Sequence, residues 1–335
     1  MTSLPVVHAS EPASLRARII HFFASLLLAR ILIRALTTAG YEATSRRIVR
    51  VGRNVNRLAS LQRRRVPRGF RLAPDTWNGL PVEWVSPSDL EAPIKDGVIL
   101  YFHGGGFVLG DLNTHLRAVT TLSRVTRLPL VHIEYRQYPE ADLETTIQDC
   151  LGAYRRLLGQ GVDPAKVIIA GDSAGGFLAF ATAQQAPQHG LPSPAGVVGI
   201  SPLLELNNAA RAEHSTASTD VFGIATGLPV LTERICPTGN LDQLEPVSGP
   251  MDVMPPSLIV VSATESLLCD AERMQDRLHQ AGRACEVMAW PSQLHAFPAI
   301  FPGLPESRRA YAAMAGFIAE CLSGTATDVP PAQSA

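Results

Sequence analysis

The chain has 335 residues, 46% of them apolar and 18% charged, with a net charge of −1. That supplies apolar surface for a sizeable core and excludes a disordered, solvating chain. It allows one large domain with an accessory piece or two modest ones, and the near-zero charge argues against a nucleic-acid binder.

The average conceals a division. Residues 1–71 hold fourteen Arg, no Lys and two acids, a net +12, while the remaining residues carry −13. This basic piece either docks on the acidic body or meets anionic lipid or an acidic substrate. Docking on the body is the plainer reading, because Arg-rich helices are usually solvated faces. Within it, Ile19 to Ala29 form a nearly unbroken apolar run of eleven residues, flanked by Arg16 and Arg18 before and Arg30 and Arg34 after. Crossing a bilayer takes about 20 apolar residues. The charged stretch that follows lacks the small-residue cleavage region of a signal peptide. A long, mostly buried helix is expected over 14–36. A second helix follows, with Ile48, Val51, Val55 and Leu58 on one face and Arg46, Arg50, Arg53 and Arg57 on the other. Residues 1–75 therefore read as a basic helical segment, with contact to a membrane surface through residues 14–71 left open.

The body alternates strands and helices. Apolar, β-branched runs at Val98–Phe102, Leu130–Tyr135, Val167–Ala170, Val197–Ile200, Leu258–Val261 and Glu286–Ala289 read as strands covered on both faces. Helical patterns at Glu144–Leu158, Ala174–Gln185, Cys269–Ala281 and Ser307–Leu322 separate them. This is an α/β domain over 76–202 and 251–322, interrupted by a polar insertion at 203–250 and ended by a disordered tail at 323–335. The five cysteines (Cys150, Cys236, Cys269, Cys285, Cys321) show no metal-ligand spacing, which makes a reduced, cytoplasmic protein the default, peripheral to a membrane if the basic segment engages lipid. Nothing in the sequence implies a metal or organic cofactor.

Two motifs carry chemistry. Tyr101-Phe102-His103-Gly104-Gly105-Gly106-Phe107 follows the first body strand, and its bare backbone N–H groups can hold a developing oxyanion. The segment lacks the spacing and the Lys-Ser/Thr of a phosphate loop. His103, at the strand end with Gly104, suits a loop-shaping hydrogen bond. Further on, Gly171-Asp172-Ser173-Ala174-Gly175 lies between a strand and a helix, the context of a nucleophile elbow. The turn is so tight that residues two before and two after the serine must lack bulk.

HGGGF followed about 70 residues later by GDSAGG resembles the hormone-sensitive-lipase-like branch of the α/β-hydrolase family. Tyr135-Arg136-Gln137-Tyr138-Pro139-Glu140 is similar to that branch's YRLAPE segment, departing at Gln137 and Tyr138. The resemblance covers roughly residues 80–320 and implies a mostly parallel, eight-stranded sheet flanked by helices. It also implies a helical cap made from the N-terminal segment and the insertion, oxyanion donors at Gly105, Gly106 and Ala174, and a chain order of nucleophile, acid and His. The acid then falls on Glu265, after the Leu258–Val261 strand, although Ser266 replaces the usual Pro and Cys269 the second Asp. Asp270 is the rival, and it reads more simply as a helix-dipole partner. The base falls on His295, ahead of Ala296 and Phe297, in the loop after the last strand. Phe107 and Phe297 are candidate walls of the substrate pocket.

What this implies is a serine carboxylesterase or lipase, acting through a Ser173-His295-Glu265 triad on esters of short to medium acyl chains. A membrane-surface lipid esterase or deacetylase, a peptidase or amidase, and a receptor-like relative without catalysis stay open beside it. So does a homodimer through a sheet edge, which the family often forms.

Overall fold

The computed structural model describes residues 6–25, 50, 54, 56–57, 66–90 and 94–326. The strands are β1 (Val7–His8), β2 (Phe70–Trp77), β3 (Leu80–Pro87), β4 (Val98–Phe102), β5 (Leu130–Ile133), β6 (Val167–Asp172), β7 (Gly196–Ile200), β8 (Ser257–Ser262) and β9 (Cys285–Trp290). They form one sheet in the order β1-β9-β8-β7-β6-β4-β5-β3-β2. The β2–β3 and β3–β5 pairs are antiparallel and every other pair is parallel. All six strands read from the body of the sequence are present.

The helices are α1 (15–25 among the described residues), α2 (Leu116–Thr126), α3 (Leu143–Leu158), α4 (Ala174–Gln185), α5 (Ala209–Glu213), α6 (Ile224–Ile235), α7 (Leu241–Leu244), α8 (Leu268–Gln280), α9 (Phe297–Ile300) and α10 (Pro305–Ser323). They cover both faces of the sheet. Leu100, Phe102 and Ile169 pack against α3, α4 and α8, while Ile99, Tyr101 and Ile168 pack against α2 and α10. This two-sided burial is why the strands read as continuous apolar runs rather than as alternations. Helix α3 begins where the Asp142 carboxylate accepts from the Thr145 N–H at 2.9 Å, and it ends with Arg155 and Arg156 at the negative end of its dipole.

Several elements depart from the sequence reading. The sheet has nine strands, not eight, because β1 lies parallel on β9 and pairs Val7 with Met288 and His8 with Ala289. A two-residue strand has no periodicity to read, and here it covers backbone that would otherwise be an open sheet edge. The supposed boundary at residue 75 falls inside β2. That strand turns into β3 through Asn78-Gly79, both with positive φ, the strongest short-range hairpin signal. Helix α2 is rich in β-branched residues that lower its intrinsic propensity. It forms because Leu116, Val119 and Leu122 share one buried face. Of the expected helix over 14–36, residues 15–25 are helical, and the remainder lies outside the described residues, as does most of the helix expected around 48–58. All five cysteines are buried and unpaired.

The insertion lies between β7 and β8 and carries α5, α6 and α7. Asp270, in the first turn of α8, ties it down. Its carboxylate accepts from the N–H groups of Leu204 and Glu205 at 2.8 and 3.0 Å, and from Arg211 Nε and Nη2 at 2.6 and 3.0 Å. Arg211 also donates to the Glu205 carbonyl. Both charged side chains are fully buried. Removing one partner of such a pair strands the other charge in the interior. Asp270→Ala should therefore lower unfolding free energy in urea by about 3–5 kcal/mol, and a loss under 1 kcal/mol would show that this pair does not hold the insertion.

Candidate active site

The functional candidates collect at the carboxyl ends of the parallel strands, as ligand sites do in open α/β sheets. Ser173 follows β6 and opens α4 with φ 52° and ψ −118°. That left-handed backbone strains a serine and costs of order 1–3 kcal/mol. It is held by the Ser173 N–H donating to the Ile200 carbonyl at 2.9 Å, and by the Ser173 carbonyl accepting from Leu203 and Phe177 at 3.1 Å each. A Cβ on Gly175 would stand 2.0 Å from the Phe102 carbonyl oxygen, so only glycine lets the elbow nest against β4.

Ser173 Oγ lies 2.8 Å from His295 Nε2, and His295 Nδ1 lies 2.5 Å from Glu265 Oε2. With Nδ1–H donating to the carboxylate, Nε2 is left to accept from the serine hydroxyl. Glu265 follows β8 and His295 follows β9, so three separate strand ends supply the chain. The second carboxylate oxygen of Glu265 accepts from the Ser262 N–H at 2.7 Å and from the Ser201 hydroxyl at 2.6 Å. The Ser201 Oγ in turn accepts from the Ala296 N–H at 3.0 Å. One hydroxyl thus joins the acid loop to the histidine loop. Sequence reading missed Ser201, because its sole local mark is a β-strand end; its φ of 45° becomes visible only in the fold.

Burial alone would lower the His295 pKa. The Glu265 carboxylate bonded to Nδ1, with Asp220 and Asp172 behind it, raises it above the ordinary 6.5 instead. The edge of the ring meets Phe222 of the insertion, with centroids 5.6 Å apart.

The glycine loop after β4 is held against the elbow by Asp172. One carboxylate oxygen accepts from the Gly104 N–H at 3.0 Å and from the Tyr101 hydroxyl at 2.7 Å. The other faces His115 Nε2 at 3.2 Å. Burial would raise the Asp172 pKa, but His115 and the Tyr101 hydroxyl hold it below the ordinary carboxylate value. Burial would likewise lower His115, but Asp172 holds it above 6.5. Each thus favours the charged form of the other across 3.2 Å. Gly105 has φ 127°, and a Cβ there would stand 1.8 Å from the Leu109 carbonyl oxygen. Among the described residues nothing accepts from the N–H groups of Gly105, Gly106 or Ala174.

His103 packs against this loop. Its Nδ1 lies 2.9 Å from the Gly104 carbonyl, its ring stacks on Tyr135 at 4.4 Å, and its own carbonyl accepts from the Tyr135 hydroxyl at 2.5 Å. Burial, followed by the like charge on His115, pushes its pKa down to about 4, so the ring is neutral near pH 7.

Other candidates are not in the site. Asp270 serves Arg211 and the insertion rather than His295. Phe107 is buried in the core edge-on to Phe177 at 5.5 Å. Phe297 is buried on the opposite face of the sheet, 6.0 Å from Trp290. Neither ring forms an open pocket wall, because each is fully buried in a core cluster. Among the described residues, no three His, Cys, Asp or Glu side chains gather as metal ligands would.

A family model described as alpha/beta hydrolase fold matches residues 99–299. The carboxylesterase/phospholipase LipF of Mycobacterium tuberculosis is 36% identical over 234 residues, 68% of this chain and 62% of the relative. The chain thus spans less than two thirds of that relative's length. Esterase LipU of the same organism is 34% identical over 230 residues, covering 66% of this chain and 77% of the relative. Among solved structures, an esterase from the bacterial hormone-sensitive lipase family superposes with a TM-score of 0.77 at 25% identity, over 92% of this chain and 99% of its own. The esterase EstE5, soaked with p-nitrophenyl butyrate, gives 0.75 at 27% identity, over 90% and 99%.

The electrostatics of the histidine can be checked without turnover. Glu265→Gln keeps a hydrogen-bond partner and removes the charge that opposes burial. The His295 pKa, read from its imidazole ring protons by NMR, should fall relative to the wild type. An unchanged value would show that Glu265 does not set it.

Proposed function

The chain belongs to the α/β-hydrolase fold family, in its hormone-sensitive-lipase-like branch, and on that footing we propose that it is a serine carboxylesterase hydrolysing small-molecule carboxylic esters. The observation that carries the proposal is the continuous Ser173-His295-Glu265 hydrogen-bond chain beside a glycine loop in which, among the described residues, nothing accepts from the Gly105 and Gly106 N–H groups.

His295 takes the hydroxyl proton as Ser173 Oγ attacks the ester carbonyl. Glu265 holds the tautomer and stabilises the imidazolium that results. The tetrahedral oxyanion accepts from the N–H groups of Gly105, Gly106 and Ala174, donors fixed in place before charge develops. Returning the proton from His295 to the alcohol oxygen breaks the ester bond and leaves an acyl-Ser173. Water, deprotonated by the same imidazole, then attacks the acyl carbon, and His295 returns that proton to Ser173 Oγ as the acyl–oxygen bond breaks and frees the carboxylic acid.

The insertion and the N-terminal segment serve as the cap in this reading. Phe222 touches His295, and Leu231 of α6 comes within 3.5 Å of where a Cβ on Gly106 would stand. On the other side, Thr264 Oγ1 meets His21 of α1 at 3.3 Å. With an apolar side chain this close over the oxyanion loop, acyl groups of short to medium length fit best.

A p-nitrophenyl ester series from acetyl to palmitoyl tests the assignment. Ser173→Ala should lose of order 10³-fold or more in kcat, and retained turnover in a folded variant would overturn it. The pH dependence has a worked sign. The base is active when neutral, and its pKa is raised above 6.5. The acid limb of kcat/KM should therefore have its midpoint above pH 6.5 in the wild type, and a flat acid limb would exclude a histidine base.

A further inference from the structure

Helix α1 is built inside out for a helix at a protein surface. Its inner face is small and polar. The Ser14 N–H ahead of it donates to a Glu306 carboxylate oxygen at 2.5 Å, Ala17 is buried, and His21 meets Thr264, the residue before Glu265. Its outer face is apolar. Leu15 is 68% exposed, Ile19 45%, Phe22 57% and Phe23 56%, the last two rings packed edge to face at 5.7 Å.

These four residues follow the helical repeat. At roughly 100° per residue they fill an arc of roughly 100°. The exposed Arg16 borders the arc on one side and the exposed Arg18 on the other. A soluble helix ordinarily turns such a stripe inward. An apolar stripe on the solvent side, rimmed by arginines, is the pattern of a helix lying in the plane of a bilayer interface. The charge of the surrounding sequence fits an anionic surface: residues 1–71 carry +12, all of it from arginine. No helix among the described residues is long and apolar enough to cross a membrane.

We propose that Leu15, Ile19, Phe22 and Phe23 form a docking face that inserts into the headgroup boundary of an anionic lipid bilayer, with Arg16 and Arg18 on lipid phosphates. The inner face of the same helix rests on the loop that carries Glu265. Docking therefore sets that side of the site against the bilayer. The proposal goes beyond the ester chemistry and does not depend on it, because lipid binding is read without turnover.

The test uses the full chain. Co-sedimentation is measured with vesicles of mixed phosphatidylglycerol and phosphatidylcholine, and with phosphatidylcholine alone. The wild type should bind the anionic vesicles at least about tenfold more tightly and should weaken as salt is raised. The triple variant Ile19→Glu, Phe22→Glu, Phe23→Glu should lose about tenfold or more while keeping its far-ultraviolet circular dichroism. If that variant does not fold, Phe22→Ser with Phe23→Ser carries the same expectation. Absence of wild-type binding, equal binding to both vesicle types, or equal binding by a folded variant would overturn the proposal. So would a lipid-free dimer, seen by light scattering, that the substitutions dissolve, because it would assign the stripe to a second copy of the chain.

Discussion

The buried carboxylate of Asp172 is the constraint on which the site depends. It sits between Ser173 and the glycine loop, accepts from the Gly104 N–H and the Tyr101 hydroxyl, and faces His115 at 3.2 Å. A carboxylate away from water is costly unless its lone pairs are met. Satisfying this one therefore fixes three pieces of chain relative to Ser173: the end of β4, the glycine loop and the start of α2. The glycine loop is held beside Ser173 because the Asp172 carboxylate is expensive to leave unpaired. His103 adds a second, uncharged support, stacked on Tyr135 and bonded to Gly104.

The acid loop after β8 is a second junction. Glu265 faces His295 with one oxygen and the Ser201 hydroxyl with the other. Around it, Thr264 accepts a bond from Thr219 of the insertion and meets His21 of α1, while Ser266 donates to Asp220. Four residues further, Asp270 binds Arg211. Within seven residues, Thr264 to Asp270, the chain thus holds Glu265 and contacts both the insertion and the N-terminal helix.

Much of this was legible in the sequence. The six body strands showed as apolar runs because both faces of the sheet are covered. Ser173, Glu265 and His295 showed because each follows such a run in a loop, and the structure brings the three together in one hydrogen-bond chain. Phe107 and Phe297 misled, because an aromatic beside a motif looks the same in sequence whether its ring faces a pocket or the core. The boundary expected at residue 75 passes over the Asn78-Gly79 hairpin, although its turn residues carry a local signal. Strand β1 was not legible, since two residues carry no period.

What the sequence determined by itself is what short-range chemistry specifies: strand–turn–helix around Ser173, the glycine loop after β4, and the basic character of residues 1–71. What only the tertiary structure decided is pairing between distant residues. Asp172 found His115, 57 residues away; Glu265 found Ser201, 64 away; Asp270 found Arg211, 59 away. Each buried polar group must have a partner, but any of several residues could have supplied it, and nothing local says which. The same holds for the outer face of α1. The helical repeat places Leu15, Ile19, Phe22 and Phe23 together, yet only packing against the body decided that this stripe faces outward.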